Sequence, residues 1–301
     1  MTEERLFVIF PGQGAQAVGM GKSLAEHSPK ARERFQEADE VLSLPLSSYC
    51  FDGPIEKLTE TAITQPALLT VSVIAFELWA EKCGTSSIQA GAGHSLGEYS
   101  ALVAAGAISF ADALRVVHNR GKFMQEAVPM GEGSMIAVLG KELAEVEEAL
   151  DGSAVEIANI NAPGQIVLAG SATEVRAFSE KQTGWKIKEL QVSAPFHCSL
   201  MKSAEQKLAP LVNDVAIAVP KFPIIQNVSA EPTTDPETIR RNLIDQVCGS
   251  VRWVDCVERA ASQFGVTKAI EFGSGKVLSG LMRRIRKDLP TANISEIESI
   301  A

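Results

Sequence analysis

Apolar and polar positions run through this chain in two rhythms. Leu6–Phe10 is an uninterrupted apolar run closed by Pro11 and Gly12, the pattern of a buried strand that ends in a tight turn. Helices are predicted over 21–27 and 30–42. Thr64 reads as the N-cap, with Pro66 tolerated in the first turn, of a long helix running to Cys83. Within it Ala67, Leu68, Val71, Ile74, Ala75 and Leu78 recur at helical spacing, which makes it a core helix. Residues 87–92 predict a strand, Gly93-His94-Ser95-Leu96-Gly97 a sharp turn, and 97–106 a helix of small residues. Ser109 and Asp112 give a capping-box start to a helix over 110–126.

From Ser134 the rhythm changes. Strand Met135–Leu139, helix Lys141–Leu150, strand Ala154–Asn159, a turn at Asn161–Gly164, strand Gln165–Ala169, helix Ala172–Gln182 and strand Lys186–Val192 follow one another. That βαββαβ order predicts a ferredoxin-like unit. Pro129, Gly131 and Gly133 punctuate its start and Pro195 its end. The fold class is therefore α/β, with a subdomain at 128–193 inserted into a larger domain formed by 1–127 and 194–301. The C-terminal part predicts a helix over 199–213, a strand Phe222–Val228, helices over 236–247 and 252–264, a strand Thr267–Phe272 and a basic helix after Gly273-Ser274-Gly275.

Composition narrows the classes of function. The chain has 301 residues, 46% apolar and 22% charged, the balance of a globular protein with a sizeable core. With 28 Lys+Arg against 37 Asp+Glu its net charge is −9, which argues against a nucleic-acid partner. Two acids precede the first apolar run, the wrong charge for a secretory signal, and no stretch approaches the ~20 apolar residues of a membrane helix. A cytoplasmic protein without a membrane partner is expected. Cys50, Cys83, Cys198, Cys248 and Cys256 are scattered without a CxxC, so reduced thiols are expected rather than a disulfide framework or a zinc site.

Chemistry concentrates in a few places. Gly93-His94-Ser95-Leu96-Gly97 matches G-x-S-x-G, the turn that exposes a nucleophilic serine between a strand and a helix; the bland alternative is a glycine-rich turn. A serine nucleophile needs a base. His27 lies in a polar segment, His94 points away from the serine that follows it, and His118 sits mid-helix. His197, on a loop between a strand and a helix, remains as the candidate base, against a structural histidine. Arg120 falls in register with Ala113, Val117 and Met124, so an apolar stripe carries a guanidinium. Desolvation of that charge calls for an anion, either a carboxylate of this chain or one on a substrate held by the planar fork. Gly12-Gln13-Gly14-Ala15-Gln16-Ala17 also fits the dinucleotide fingerprint nominally, weakened by Pro11 and by the lack of an acidic strand end ~20 positions on. The other use of such a turn is to offer an N–H to an oxyanion.

Taken together, Pro11–Gln16, Thr64-Gln65-Pro66-Ala67, Gly93–Tyr99, Asn159-x-Asn161, Arg120–Gln125, Ala194-Pro195-Phe196-His197-Cys198 and Gly273–Leu278 resemble the malonyl-CoA:acyl carrier protein transacylases and the related polyketide acyltransferases, over about residues 6 to 285. The resemblance implies an α/β-hydrolase-like domain with an inserted ferredoxin-like subdomain. It implies Ser95 as nucleophile, His197 as general acid/base, Arg120 as clamp for the malonyl carboxylate, and the amides of Gln13 and Leu96 as oxyanion hole. The backbone carbonyl of Gln246 would orient His197, and Phe196 and Met124 would line the pocket. It implies coenzyme A thioesters and acyl carrier protein as partners, a monomer, and neither cofactor nor metal. Phe196 before His197 is similar to the malonyl-selective polyketide signature, and Ser274 stands where a proline is frequent. Since both partners are anionic, a local basic surface is expected, with Lys186, Lys188, Lys276, Arg283, Arg284, Arg286 and Lys287 as candidates.

Overall fold

The computed structural model describes residues 4–300; residues 1–3 and 301, assigned above to the larger domain, lie outside it. Among the described residues, ten strands form two sheets. The larger contains β1 (Leu6–Phe10), β2 (Ile88–Gly93), β7 (Ile224–Ile225), β8 (Pro232–Thr233), β9 (Lys268–Phe272) and β10 (Thr291–Ile294), in the order β10-β9-β1-β2-β7-β8. All its pairings are parallel except β7 with β8. β1 is central and all five of its residues are buried, which is why it reads as a continuous apolar run rather than an alternating one. Its register sets Phe10 beside Gly93, so the turns that follow β1 and β2 leave the carboxyl edge side by side. That edge is where open parallel sheets place their sites.

The smaller sheet contains β3 (Gly133–Leu139), β4 (Glu156–Ala162), β5 (Gln165–Ser171) and β6 (Lys186–Glu189), all antiparallel, in the order β4-β5-β3-β6. Its alternation is legible residue by residue. Ile136 and Val138 point to Val146, Val175 and Phe178 on the two helices of this unit, while Met135, Ala137, Val167 and Ala169 join the core of the larger one. The β4 edge is stitched to the larger unit, with Ile160 N–H donating to Val251 O and Val251 N–H to Ala158 O, both at 2.9 Å.

Several expectations are corrected. The long helix spans Thr61–Cys83, one turn earlier than predicted: Thr64 is not its N-cap, and its hydroxyl donates to the carbonyls of Leu58 and Glu60. This helix is also long and apolar enough to cross a membrane, contrary to the reading that no stretch is. Its apolar surface is instead satisfied by packing, with 83% of the most apolar window buried. The strand expected over 222–228 shrinks to Ile224–Ile225, because Gln226 and Asn227 turn away to bond side chains near Ser95. The strand expected over 186–192 ends at Glu189, and the chain beyond it leaves the sheet to line a cavity. Helices Leu46–Asp52 and Ile55–Leu58 and strand β10 were not predicted.

Candidate active site

Ser95 sits in the turn between β2 and the helix Gly97–Ala104, with φ 51°, in the left-handed region. Two glycines make the turn possible. A Cβ on Gly93 would lie 1.8 Å from the Gly97 carbonyl carbon, and one on Gly97 would lie 2.0 Å from the Phe10 carbonyl oxygen. Only bare backbone lets β1, β2 and the helix meet this closely.

His197 also has a positive φ, 60°, on the loop after β6. Its Nε2 lies 2.8 Å from Ser95 Oγ. Its Nδ1 faces two carbonyls, Gln246 O at 2.9 Å and Gly249 O at 3.2 Å, so the ring proton must reside on Nδ1. Nε2 is then an acceptor, and the serine hydroxyl donates to it. Burial, and after it the charge of Arg120, push the imidazolium down to about 3, so the ring is neutral at neutral pH.

Arg120 is 1% exposed on the helix Phe110–Glu126. Nη1 donates to Gln65 Oε1 at 2.9 Å; Nη2 donates to Gln246 Oε1 at 2.9 Å and to Ser95 Oγ at 3.0 Å. Nε is buried with no partner. Of the two anions expected for this guanidinium, no in-chain carboxylate bonds it among the described residues: its hydrogen-bond partners are neutral, the Tyr99 ring lies 5.8 Å away, and the buried Glu98 acts on it only through space. A buried cation held only by neutral groups leaves its charge open to an incoming anion.

The serine opens into a cavity of about 400 Å³ between the two sheets, lined by Gln13, Met124, Met135, Phe196 and His197 among others. The Ser95 N–H is turned away and donates to Asn227 Oδ1 at 2.7 Å. Among the described residues, the N–H groups of Gln13 and Leu96 meet no protein acceptor. None of the other histidines bonds the serine hydroxyl: His94 lines the same cavity but bonds Asn161 Oδ1, His118 bonds Ala62 O, and His27 bonds Ser23 O at the surface. At the dinucleotide-like turn the next helix opens only at Lys22, so no helix N-terminus stands over Gly12–Ala17 to hold a pyrophosphate. Gln65, Asn227 and the side chain of Gln246 were given no role from the sequence. A buried arginine on an apolar stripe signals that neutral acceptors surround it, but not which ones.

A neutral imidazole on a serine hydroxyl, with a charged fork 3.0 Å from the same oxygen, can open an acyl compound that carries a carboxylate. The family model described as an acyl transferase domain matches residues 7–272. The malonyl CoA-acyl carrier protein transacylase of Bacillus subtilis (strain 168) is 45% identical over 98% of this chain and 95% of its own length. The chain belongs to this acyl transferase family. The corresponding transacylase of Escherichia coli (strain K12) is 44% identical, over 97% of this chain and 96% of that one. Among solved structures, an acyl carrier protein S-malonyltransferase from Vibrio cholerae aligns with a TM-score of 0.94 at 42% identity, covering 99% of both chains. A malonyl-transacylase in complex with a type II polyketide synthase acyl-carrier protein aligns with a TM-score of 0.93 at 41% identity, covering 99% of this chain and 98% of that one. In this acyl transferase, the family's mixed α/β architecture thus frames the Ser95, His197 and Arg120 cluster.

Proposed function

We propose that this protein moves a malonyl group from malonyl-CoA to the phosphopantetheine thiol of an acyl carrier protein, in the cytoplasm, for fatty-acid or polyketide synthesis. The observation that carries this reading is the buried Arg120 fork, held by neutral partners and in contact with Ser95 Oγ. Arg120 binds the malonyl carboxylate and presents the thioester carbonyl to the serine. His197 Nε2 takes the hydroxyl proton as Oγ attacks, and the Gln13 and Leu96 amides receive the oxyanion. The C–S bond breaks, and the imidazolium returns its proton to the leaving thiol of coenzyme A. In the second half, His197 deprotonates the carrier thiol, which attacks the malonyl-serine ester and restores Ser95. The thioester is already activated, so the reaction calls on neither metal nor redox cofactor. Phe196 and Met124 narrow the cavity against an α-branched acyl group. The carbonyls of Gln246 and Gly249 hold the imidazole in place of an acid.

The architecture is best read as an α/β-hydrolase-like domain, 1–127 and 194–301, interrupted by a ferredoxin-like subdomain at 128–193. The small sheet's order supports this, since its first to fourth strands lie 2-3-1-4 in space with both helices on one face.

Incubation with malonyl-CoA is expected to give a malonyl adduct that maps to Ser95, and no adduct refutes the reading. Arg120→Ala is expected to slow malonyl transfer by about a hundredfold or more while neutral acyl groups are spared. Equal losses for malonyl and acetyl would make Arg120 structural. Release of free malonate faster than transfer to carrier protein would move the assignment to thioester hydrolysis.

A further inference from the structure

Behind the serine turn lies a buried carboxylate that the transfer chemistry does not use. Glu98, in the first turn of the helix that follows Ser95, is completely buried. Its oxygens accept from the backbone N–H of Asn227 at 2.7 Å and from Gln226 Nε2 at 3.2 Å. Asn227 is completely buried as well, and its side chain is committed to the turn. Oδ1 accepts the Ser95 N–H at 2.7 Å and Gln246 Nε2 at 3.3 Å, and Nδ2 donates to Gly93 O at 2.8 Å.

One side-chain amide therefore grips the chain on both sides of His94 and fixes the peptide that enters Ser95, while Gln246 Nε2 donates to Ser95 O at 3.1 Å on the far side. Left-handed geometry is unfavourable for a residue such as serine and persists only where the surroundings over-determine it. The amide can do this in one orientation alone. Flipped, it would set an NH₂ against the Ser95 N–H and an oxygen against Gly93 O. Its backbone is in turn tethered to the Glu98 carboxyl of the helix that the serine opens, by the 2.7 Å bond from the Asn227 N–H. The grip also removes the Ser95 N–H from the cavity, leaving the next amide, that of Leu96, to face it.

We infer that Asn227, tethered by Glu98, is a positioning residue for acyl transfer: it holds Ser95 in its left-handed turn, so that Oγ meets His197 Nε2 and the Leu96 N–H meets the oxyanion. This rests on the acyl-serine reading above. Because both half-reactions use the same serine geometry, loss of the grip slows both by a common factor. Binding of the malonyl carboxylate is expected to be spared, since Arg120 keeps Gln65, and Gln246 keeps its 3.1 Å bond to Ser95 O.

The test uses Asn227→Ala and the milder Glu98→Gln in the full chain. Three quantities are compared with thermal melting: single-turnover acylation by malonyl-CoA, transfer to carrier protein, and labelling of Ser95 by a fluorophosphonate, which needs no carboxylate clamp. Asn227→Ala is expected to slow all three by about a hundredfold with KM for malonyl-CoA within about twofold, and Glu98→Gln to slow them by about tenfold. Folded variants with unchanged rates, whatever their melting temperature, overturn the inference, as does a loss confined to malonyl-CoA. If Asn227→Ala does not fold, Glu98→Gln decides on the same criteria. If the wild type takes up fluorophosphonate but no malonyl group, the functional reading fails while the positioning role is still measured.

Discussion

Ser95 and His197 both occupy left-handed backbone, and each is held there through atoms that are not part of the reaction. The imidazole illustrates what such burial does to pH dependence. In the unfolded chain it takes a proton below about pH 6.5; in the native state it resists until about 3. The unfolded state therefore binds more protons between these values, and native stability is lost as pH falls through that window. His197→Gln removes this loss. Its melting temperature is expected to gain on the wild type between pH 7 and pH 4, by the equivalent of about 3 kcal/mol. Glu98 runs the other way. Burial raises it to about 7, so the native state holds a proton that the unfolded state has released, and stability falls as pH rises from the unfolded value toward 7. Glu98→Gln is expected to gain on the wild type between pH 5 and pH 8. A thermal-shift series for both variants reads the two opposite slopes. At this scale the sequence disclosed residues that violate their local pattern, such as Arg120 on an apolar stripe. It did not disclose Asn227, whose partner Ser95 is 132 positions away.

Among the elements, those with an uninterrupted hydrophobic period were legible: β1 and the helix Phe110–Glu126 came out at their observed bounds. Errors fell where tertiary contacts replace local signals. Thr64 looks like a cap, yet its hydroxyl closes the preceding turn, and the helix begins at Thr61. The four residues of β10 are an edge strand, recruited by β9 rather than by any run of their own. Glycines separate the two kinds of constraint. Gly97→Ala pushes a Cβ to 2.0 Å from the Phe10 carbonyl oxygen, backbone against backbone, and is expected to cost several kcal/mol or prevent folding. Gly280→Ala, in the helix Val277–Ile285 with nothing within 4 Å, is expected to stabilise by about 0.5–1 kcal/mol. Urea denaturation of the two variants measures the contrast.

Over the whole molecule, the net charge of −9 opposes an acidic partner, and the candidate basic residues do not form one patch. Lys186 and Lys188 lie on β6, at one edge of the small sheet, whereas the helix Val277–Ile285 packs on β4 at the other. Arg286 is paired with Glu258 and Asp288, and Arg284 is held by Gln165 and Pro163 O. The chain directly after β6 lines the cavity, so of the two groups the β6 lysines are the nearer in sequence to that lining. Reversing both to Glu is expected to raise the carrier-protein KM severalfold and flatten its salt dependence, while reversing Lys276 and Arg283 leaves both unchanged.

The stretch from Gln246 to Val251 has a mechanical meaning. Its carbonyls at Gln246 and Gly249 aim the His197 ring, and a few atoms farther on Val251 is laced into β4. The imidazole and the jaw of the cleft thus hang from one short rail. The bonds that fasten β4 therefore lie two residues from a carbonyl that sets the tilt of the ring, so base and small sheet share one anchor.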